Sequence, residues 1–279
     1  MVERIRAVDL PRLAQLAAVV FVFGFLYAPM LVIALLSVND NVVGALPFKG
    51  FTFQWYEQAL ANEDVVAAIR NSVWVAAMAV VIAVLLGVPG ALLVDRYSFP
   101  GKSIFRRFVL LPLILPGVIT GVGFLSLFSL LHLKLSLWTV ILAHGTALVS
   151  TVLTTVYARL LRLDRSMEEA SRDLGASALV TFFRVTLPNI RTAIVAAGLL
   201  AFTLSMDEIP VTFFVIGQEN TLPMYIWSAL RSGFTPEINA VSTVILVLGI
   251  GAVMLFARLM EQAETETVGN PVVVDVTGR

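Results

Sequence analysis

The stretch EEASRDLGASALVTFFRVTLPNI, residues 168–190, brings carboxylates, a glycine and a proline into an otherwise apolar chain. Just upstream, RSMEEASRDLG places Ser166 as a helix cap, with Glu169 set to reach back to the cap amide. Glu168 and Glu169 fall in the first turn, where the helix dipole favours negative charge. Glu168 and Arg172 stand in the favourable order for a helical ion pair, and Gly175 suits a left-handed terminating residue. Met167, Ala170 and Leu174 share one side as a short apolar stripe. After Gly175, ASALVTFFRV predicts a second short helix, and Thr-Leu-Pro188 opens the next apolar run. A helix of about two turns does not persist alone in water, so something must bury the stripe. Two readings are open at this point: packing on the ends of its own spans, or docking onto a separate cytoplasmic protein.

The surroundings are those of a membrane protein. Of 279 residues, 58% are hydrophobic and 14% are charged, against about 25% charged in soluble domains. Mean hydropathy is +0.91. Apolar runs at 13–38, 71–94, 105–131, 137–158, 191–216 and 239–258 each approach the ~20 helical residues that cross a hydrocarbon core. The predicted fold is all-α, with six transmembrane helices. The first run is too long for a signal-peptide core and is read as a retained span. Residues 39–70 predict one or two short amphipathic helices, and the polar tail 259–279 predicts loose order. The expected division is 1–70 for the first span and its loop, 71–258 for a core of five spans, and 259–279 for the tail.

Orientation follows from lysine and arginine. Fifteen of the nineteen lie in the N-terminus, the 95–107 and 159–191 loops and the C-terminus; Lys49, Arg70, Lys134 and Arg231 occupy the alternate loops. This asymmetry predicts cytoplasmic termini and a cytoplasmic 159–190 segment. Net charge is zero and cysteine is absent, which excludes disulfides, thiol catalysis and cysteine-based metal sites. His132 and His144 alone do not make a zinc site. Gly101-Lys102-Ser103 resembles the end of a phosphate loop, but Arg96 stands where the first glycine is needed. It reads as a basic turn.

Several intramembrane residues are candidates for a solute pathway. Span three carries Pro112, Pro116, Gly117, Gly121 and Gly123, which predict a kinked helix with a small-residue face, serving either packing or a cavity. Span four holds His144, Ser150, Thr151, Thr154 and Thr155. Asp207 and Glu208, followed by Pro210, predict an interrupted helix in span five. A carboxylate deep in a bilayer costs ~2.5–3.5 kcal/mol on insertion scales, so the pair faces something polar. About twenty residues beyond Pro188, at ~1.5 Å each, the pair is expected near the outer boundary. Asp207, Glu208, His144, Pro116 and Thr151 form the expected pathway set. Either the carboxylates are bonded to a neighbouring loop, or they attract a cationic solute.

The 168–190 segment resembles the cytoplasmic signature loop of ABC importer permeases. That pattern reads Glu-Ala-Ala, three residues, Gly, nine residues, Ile, one residue, Leu-Pro. Here it is Glu169, Ala170, Ser171, Gly175, Val185, Leu187 and Pro188, with Ser171 and Val185 as mild departures. QWYEQAL, FTLSMDEIPVTFF and TLPMYIWSALRSGFTPEINAVSTVILVL are similar to polyamine-type (spermidine/putrescine) permeases. The resemblance implies the type I ABC importer permease fold in a bacterial inner membrane. It further implies an ATPase-docking coupling helix carrying Glu168, Glu169, Ala170, Ser171, Leu174 and Gly175. The implied partners are a homologous second permease, a homodimeric ATPase that holds ATP and Mg, and an extracytoplasmic solute-binding protein. This chain is then no enzyme, carries no cofactor, and moves a small organic solute such as a polyamine-like cation. The rival reading is a proton-coupled secondary transporter using Asp207, Glu208 and His144.

Overall fold

The computed structural model describes residues 10–44, 46–233 and 235–268. The described residues are mostly helical, with one isolated antiparallel bridge between Asn39 and Phe51. The helices are α1 (Leu10–Leu36), α2 (Gln54–Ala61), α3 (Glu63–Arg96), α4 (Lys102–Ile114), α5 (Gly117–Leu130), α6 (Leu137–Leu160), α7 (Ser166–Asp173), α8 (Ala178–Thr181), α9 (Leu187–Met206), α10 (Pro210–Val215), α11 (Leu222–Ser232) and α12 (Pro236–Val268). Two compact units emerge: Glu63–Ser228, and a second built from residues up to Asn62 together with those from Ala229 onward.

Among the described residues, four helices are long and apolar enough to cross a membrane: Ala14–Leu36, Glu63–Arg96, Leu137–Leu160 and Ala178–Met206. The pair α4 and α5 makes a fifth if counted as one bent span, and Pro236–Gly251 is a shorter apolar helix. The third expected run is therefore not one kinked helix. It breaks by 109° at Leu115–Pro116, while Pro112 lies inside α4. Pro116 disfavours helical geometry at Leu115, which is extended at ψ 135° and ends α4, and Pro116 itself caps α5 at ψ 136°. The second expected run begins earlier than residue 71. Residues 63–70 are the first turns of α3, opened by Glu63 and Asp64 at the favourable end of the dipole. The tail also differs from expectation: helix continues through Val268, and residues beyond it lie outside the described set.

In the Glu63–Ser228 unit, α3 packs along α6 and α9. Small residues make this possible. Ala79, Ala83 and Ala91 of α3 meet Leu148, Val152 and Val156 of α6 and Ala197 and Ala201 of α9 in one buried cluster. A Cβ on Gly145 would lie 2.8 Å from the Ile82 side chain, so the α3–α6 approach depends on glycine there. A second cluster holds Val75, Phe128, Val140, Ile141, Val211 and Val215, and seats α5 and α10 against the start of α6. In the other unit α1 packs on α12. Its loop after α1 is pinned by buried Asn39, whose Oδ1 accepts from the Lys49 amide at 2.9 Å and whose carbonyl accepts from Trp55 Nε1 at 2.9 Å.

Candidate functional site

Two places concentrate polar side chains. The first is the charged segment. Helix α7 ends in a Schellman arrangement: Gly175 has φ +85°, its amide donates to Arg172 O at 2.8 Å, and the Ala176 amide donates to Ser171 O at 3.1 Å. The start of α7 differs from the sequence reading. Ser166 is the first helical residue rather than the cap, and Arg165 at the cap position makes no side-chain bond to the helix. Asp164 Oδ1 accepts from the Ser166 amide at 3.0 Å instead. Hydrogen bonds from the Ser166 backbone, then its side chain, hold the exposed Asp164 carboxyl below its ordinary value.

Glu168 does not pair with Arg172. Its carboxylate is 5% exposed and turns inward, bonded through both oxygens to the Arg96 guanidinium and through Oε1 to Thr186 Oγ1 at 2.6 Å. The apolar stripe turns the other way. Leu174 is 89% exposed, and Met167, Ala170, Leu179 and Phe183 are also exposed within this chain, as is Glu169. The chain's own spans therefore leave the stripe uncovered. Ser171 Oγ lies 3.1 Å from Thr181 Oγ1 and ties the two arms of the segment together.

The expected second short helix is not separate. Ser177 caps α8, a π-helical turn spans Phe182–Thr186, and α9 follows without a gap. Pro188 lacks the amide that an α-helix would offer to the Arg184 carbonyl. Widening the previous turn, with the Leu187 amide on Phe182 O, accommodates that missing donor.

The second place is the break between α9 and α10. Helix α9 ends at Met206, Asp207 is its exposed C-cap, and Pro210 starts α10. Glu208 is half-buried, and its Oε1 accepts from the Val211 amide at 3.0 Å. His144 of α6, 3% exposed, reaches across the break: Nδ1 is 2.9 Å from Ser205 Oγ, and Nε2 is 2.9 Å from Thr212 Oγ1. Thr212 donates to Glu208 O at 2.6 Å, so its single hydroxyl proton is used and it accepts from His144. Nε2 then carries the ring proton, and Ser205 donates to Nδ1. Thr139 Oγ1 closes the far end of α10 with a 2.7 Å bond to Val215 O.

The bent pair meets the same break. A Cβ on Gly117 would lie 2.9 Å from Pro210 Cβ and 3.3 Å from Glu208 Oε1; one on Gly121 would lie 2.7 Å from Phe214 Cδ2 and 3.1 Å from Pro210 O. Pro116 is exposed beside this contact. Of the expected pathway set, Asp207, Glu208, His144 and Pro116 thus gather around one break, through Gly117 in the case of Pro116. Thr151 does not join them. It is buried in α6, where its carbonyl accepts from Thr154 and Thr155. The sequence reading missed Ser205, Thr212, Arg96 and Thr186. The polar pair flanking Asp207–Pro210 was a visible signal for the first two; nothing local marks Arg96 and Thr186. Among the described residues no group of three His, Asp or Glu side chains is placed to hold a metal.

The chain belongs to the family of binding-protein-dependent transport system inner membrane components, whose model matches residues 79–264. A putrescine transport system permease protein of Escherichia coli (strain K12), PotI, is 39% identical over 255 residues, covering 86% of this chain and 89% of the relative. A spermidine/putrescine transport system permease protein of Haemophilus influenzae, PotC, is 34% identical over 235 residues, covering 84% and 91%. The crystal structure of a bacterial ABC transporter involved in the import of the acidic polysaccharide alginate matches with a TM-score of 0.68 at 17% identity, over 91% of this chain and 98% of the matched one. At that identity the likeness speaks for the fold alone. The chain is a permease subunit of a binding-protein-dependent ABC importer of the inner membrane.

Proposed function

We propose that this chain is one of two permease subunits in an importer of polyamine-like organic cations, driven by ATP hydrolysed on separate chains. The curated relatives described above carry putrescine and spermidine in their names. One observation in the structure supports a cationic cargo: Asp207 is an exposed carboxylate at the break between α9 and α10. Glu208 is half-buried and accepts from the Val211 amide, whereas Asp207 is exposed, so Asp207 is the carboxylate better placed to meet solute.

The proposed subunit has six spans, with α12 as the last, cytoplasmic termini, and a permease core over residues 71–258. Helix α7, with Glu169, Ala170, Ser171, Leu174 and Gly175, docks in a groove of the ATPase subunit; the uncovered Leu174 and Met167 support this. Closure of the ATPase dimer draws α7 inward, and spans three to six, from α4 to α12, switch access while a solute-binding protein delivers cargo from outside. Both ring nitrogens of His144 are bonded to the Ser205 and Thr212 hydroxyls rather than to the Asp207 or Glu208 side chains, which favours this reading over a relay joining His144 to those carboxylates.

The test is reconstitution of the full complex with its binding protein in proteoliposomes. Uptake of labelled putrescine that requires ATP, and that is absent from the permease chain alone under a proton gradient, is the expected result. Uptake driven by the gradient alone would overturn it.

A further inference from the structure

The Glu168 carboxylate is the only acid of α7 that is buried, and it faces the protein rather than the exposed side that carries Met167 and Leu174. Its contacts come from two different helices. Arg96 is the last residue of α3, and Thr186 is the last residue before α9. All three guanidinium nitrogens of Arg96 are used: Nη1 and Nη2 on Glu168, and Nε on Asp95 Oδ2 at 3.2 Å. The Asp95 side chain is 2% exposed and is also approached by Arg165 Nη2, at 3.4 Å, from the residue preceding α7. A planar fork held on both sides has one orientation, which a lysine could not reproduce.

Such a node is a poor investment if stability alone were at issue, because buried ion pairs roughly break even against apolar packing. Its geometry has another consequence. Along the chain, helix α7 is joined to its neighbours only through its own loop, which bends at Leu163 and turns through left-handed Gly175. The Glu168 contacts bypass that loop and join α7 directly to the cytoplasmic roots of α3 and α9.

We propose that Glu168 and Arg96 form the rigid joint through which movement of α7 reaches α3 and α9, and that this joint stays closed throughout the transport cycle. Glu168 is then a positioning residue and makes no contact with the ATPase. The inference rests on the reading of α7 as the ATPase-docking helix.

The experiment uses complete complexes purified through a tag on the ATPase, so that every sample has docked. In Glu168→Gln the volume and the Thr186 bond persist while the charge is lost. Substrate-stimulated ATP hydrolysis and uptake per ATP are expected to fall about tenfold, inside the usual range of a coupling free energy. The same amount of permease should co-purify. Arg96→Lys should behave alike, because it keeps the charge and loses the fork. Coupling at the wild-type level in both variants would overturn the proposal.

A second arm covers poor yields of those variants. The chain has no native cysteine, so Arg96→Cys combined with Glu168→Cys can be bridged by a short bifunctional thiol reagent. Bridging is expected to restore uptake over the unbridged sample. Bridged complexes that remain uncoupled would mean that the joint must open, which also overturns the proposal. Failure of the docking reading looks different: a Leu174→Cys probe in otherwise wild-type complexes would then show no cross-link to the ATPase.

Discussion

His144 Nε2 lies 2.9 Å from Thr212 Oγ1, and this bond joins the first half of one membrane helix to a six-residue half-helix that begins after an interruption of the helix before it. With the second bond to Ser205, one imidazole spans both sides of the interruption. His144→Phe keeps a planar aromatic ring, though a larger one, and leaves the buried Ser205 hydroxyl without its imidazole partner. An unsatisfied buried polar group costs about 1–3 kcal/mol, so the purified complex should melt measurably earlier. His144→Gln should recover part of the loss. Unchanged melting of the Phe variant would show that the bridge contributes nothing.

Gly121 and Gly123 make a matched pair of substitutions. A Cβ at Gly121 meets Phe214 and the α10 backbone at Pro210 and Val211, whereas nothing lies within 4 Å of one at Gly123. Gly121→Ala is expected to destabilise by about 1–3 kcal/mol through overpacking. Gly123→Ala should be neutral or stabilising by up to ~1 kcal/mol from helix propensity. Thermal unfolding in detergent distinguishes them, and equal effects would contradict the close approach of α5 and α10.

Asp207→Asn and Glu208→Gln should separate binding from architecture. If Asp207 meets a cation in the pathway, its loss should raise KM for putrescine uptake about tenfold, or ~1.4 kcal/mol, below the ~4 kcal/mol for unit charges in contact at an effective dielectric of 20. Glu208→Gln retains an oxygen for the Val211 amide, so uptake should change less. Wild-type uptake in both variants would remove the charge argument.

Gly175 has φ +85° and nothing within 4 Å of its missing Cβ, so any effect there is backbone strain rather than a clash. Left-handed geometry costs ordinary residues about 1–2 kcal/mol, and asparagine is the best tolerated. Gly175→Val should abolish substrate-stimulated ATP hydrolysis in the reconstituted complex while Gly175→Asn retains most of it. Equal activity in the two would mean that the α7 terminus does not set the docking geometry.

Orientation is open to direct labelling. A cysteine at exposed Ser166 should resist an impermeant maleimide in intact cells and react once the membrane is permeabilised. One at Val42, 75% exposed in the loop after α1, should react from outside. The opposite pattern would invert the topology.

Composition and hydrophobic runs were enough to specify a helical membrane protein, because burial in hydrocarbon leaves a chain little choice but to satisfy its amides internally. The left-handed termination at Gly175 was also legible, since it acts within a few residues, whereas the cap expected at Ser166 is not the one the helix uses. What stayed hidden were relationships across the chain. Glu168 had an eligible neighbour in Arg172, and only the packing of α3 beside the loop supplied Arg96 as the better, more buried partner. Pro112 and Pro116 both looked capable of breaking span three, and the break fell at Pro116, where Gly117 meets Pro210. His144 looked like an isolated ionisable group until α9 and α10 brought Ser205 and Thr212 to its two nitrogens. Local sequence determines which groups need partners; which distant group answers is decided by the geometry that brings helices together.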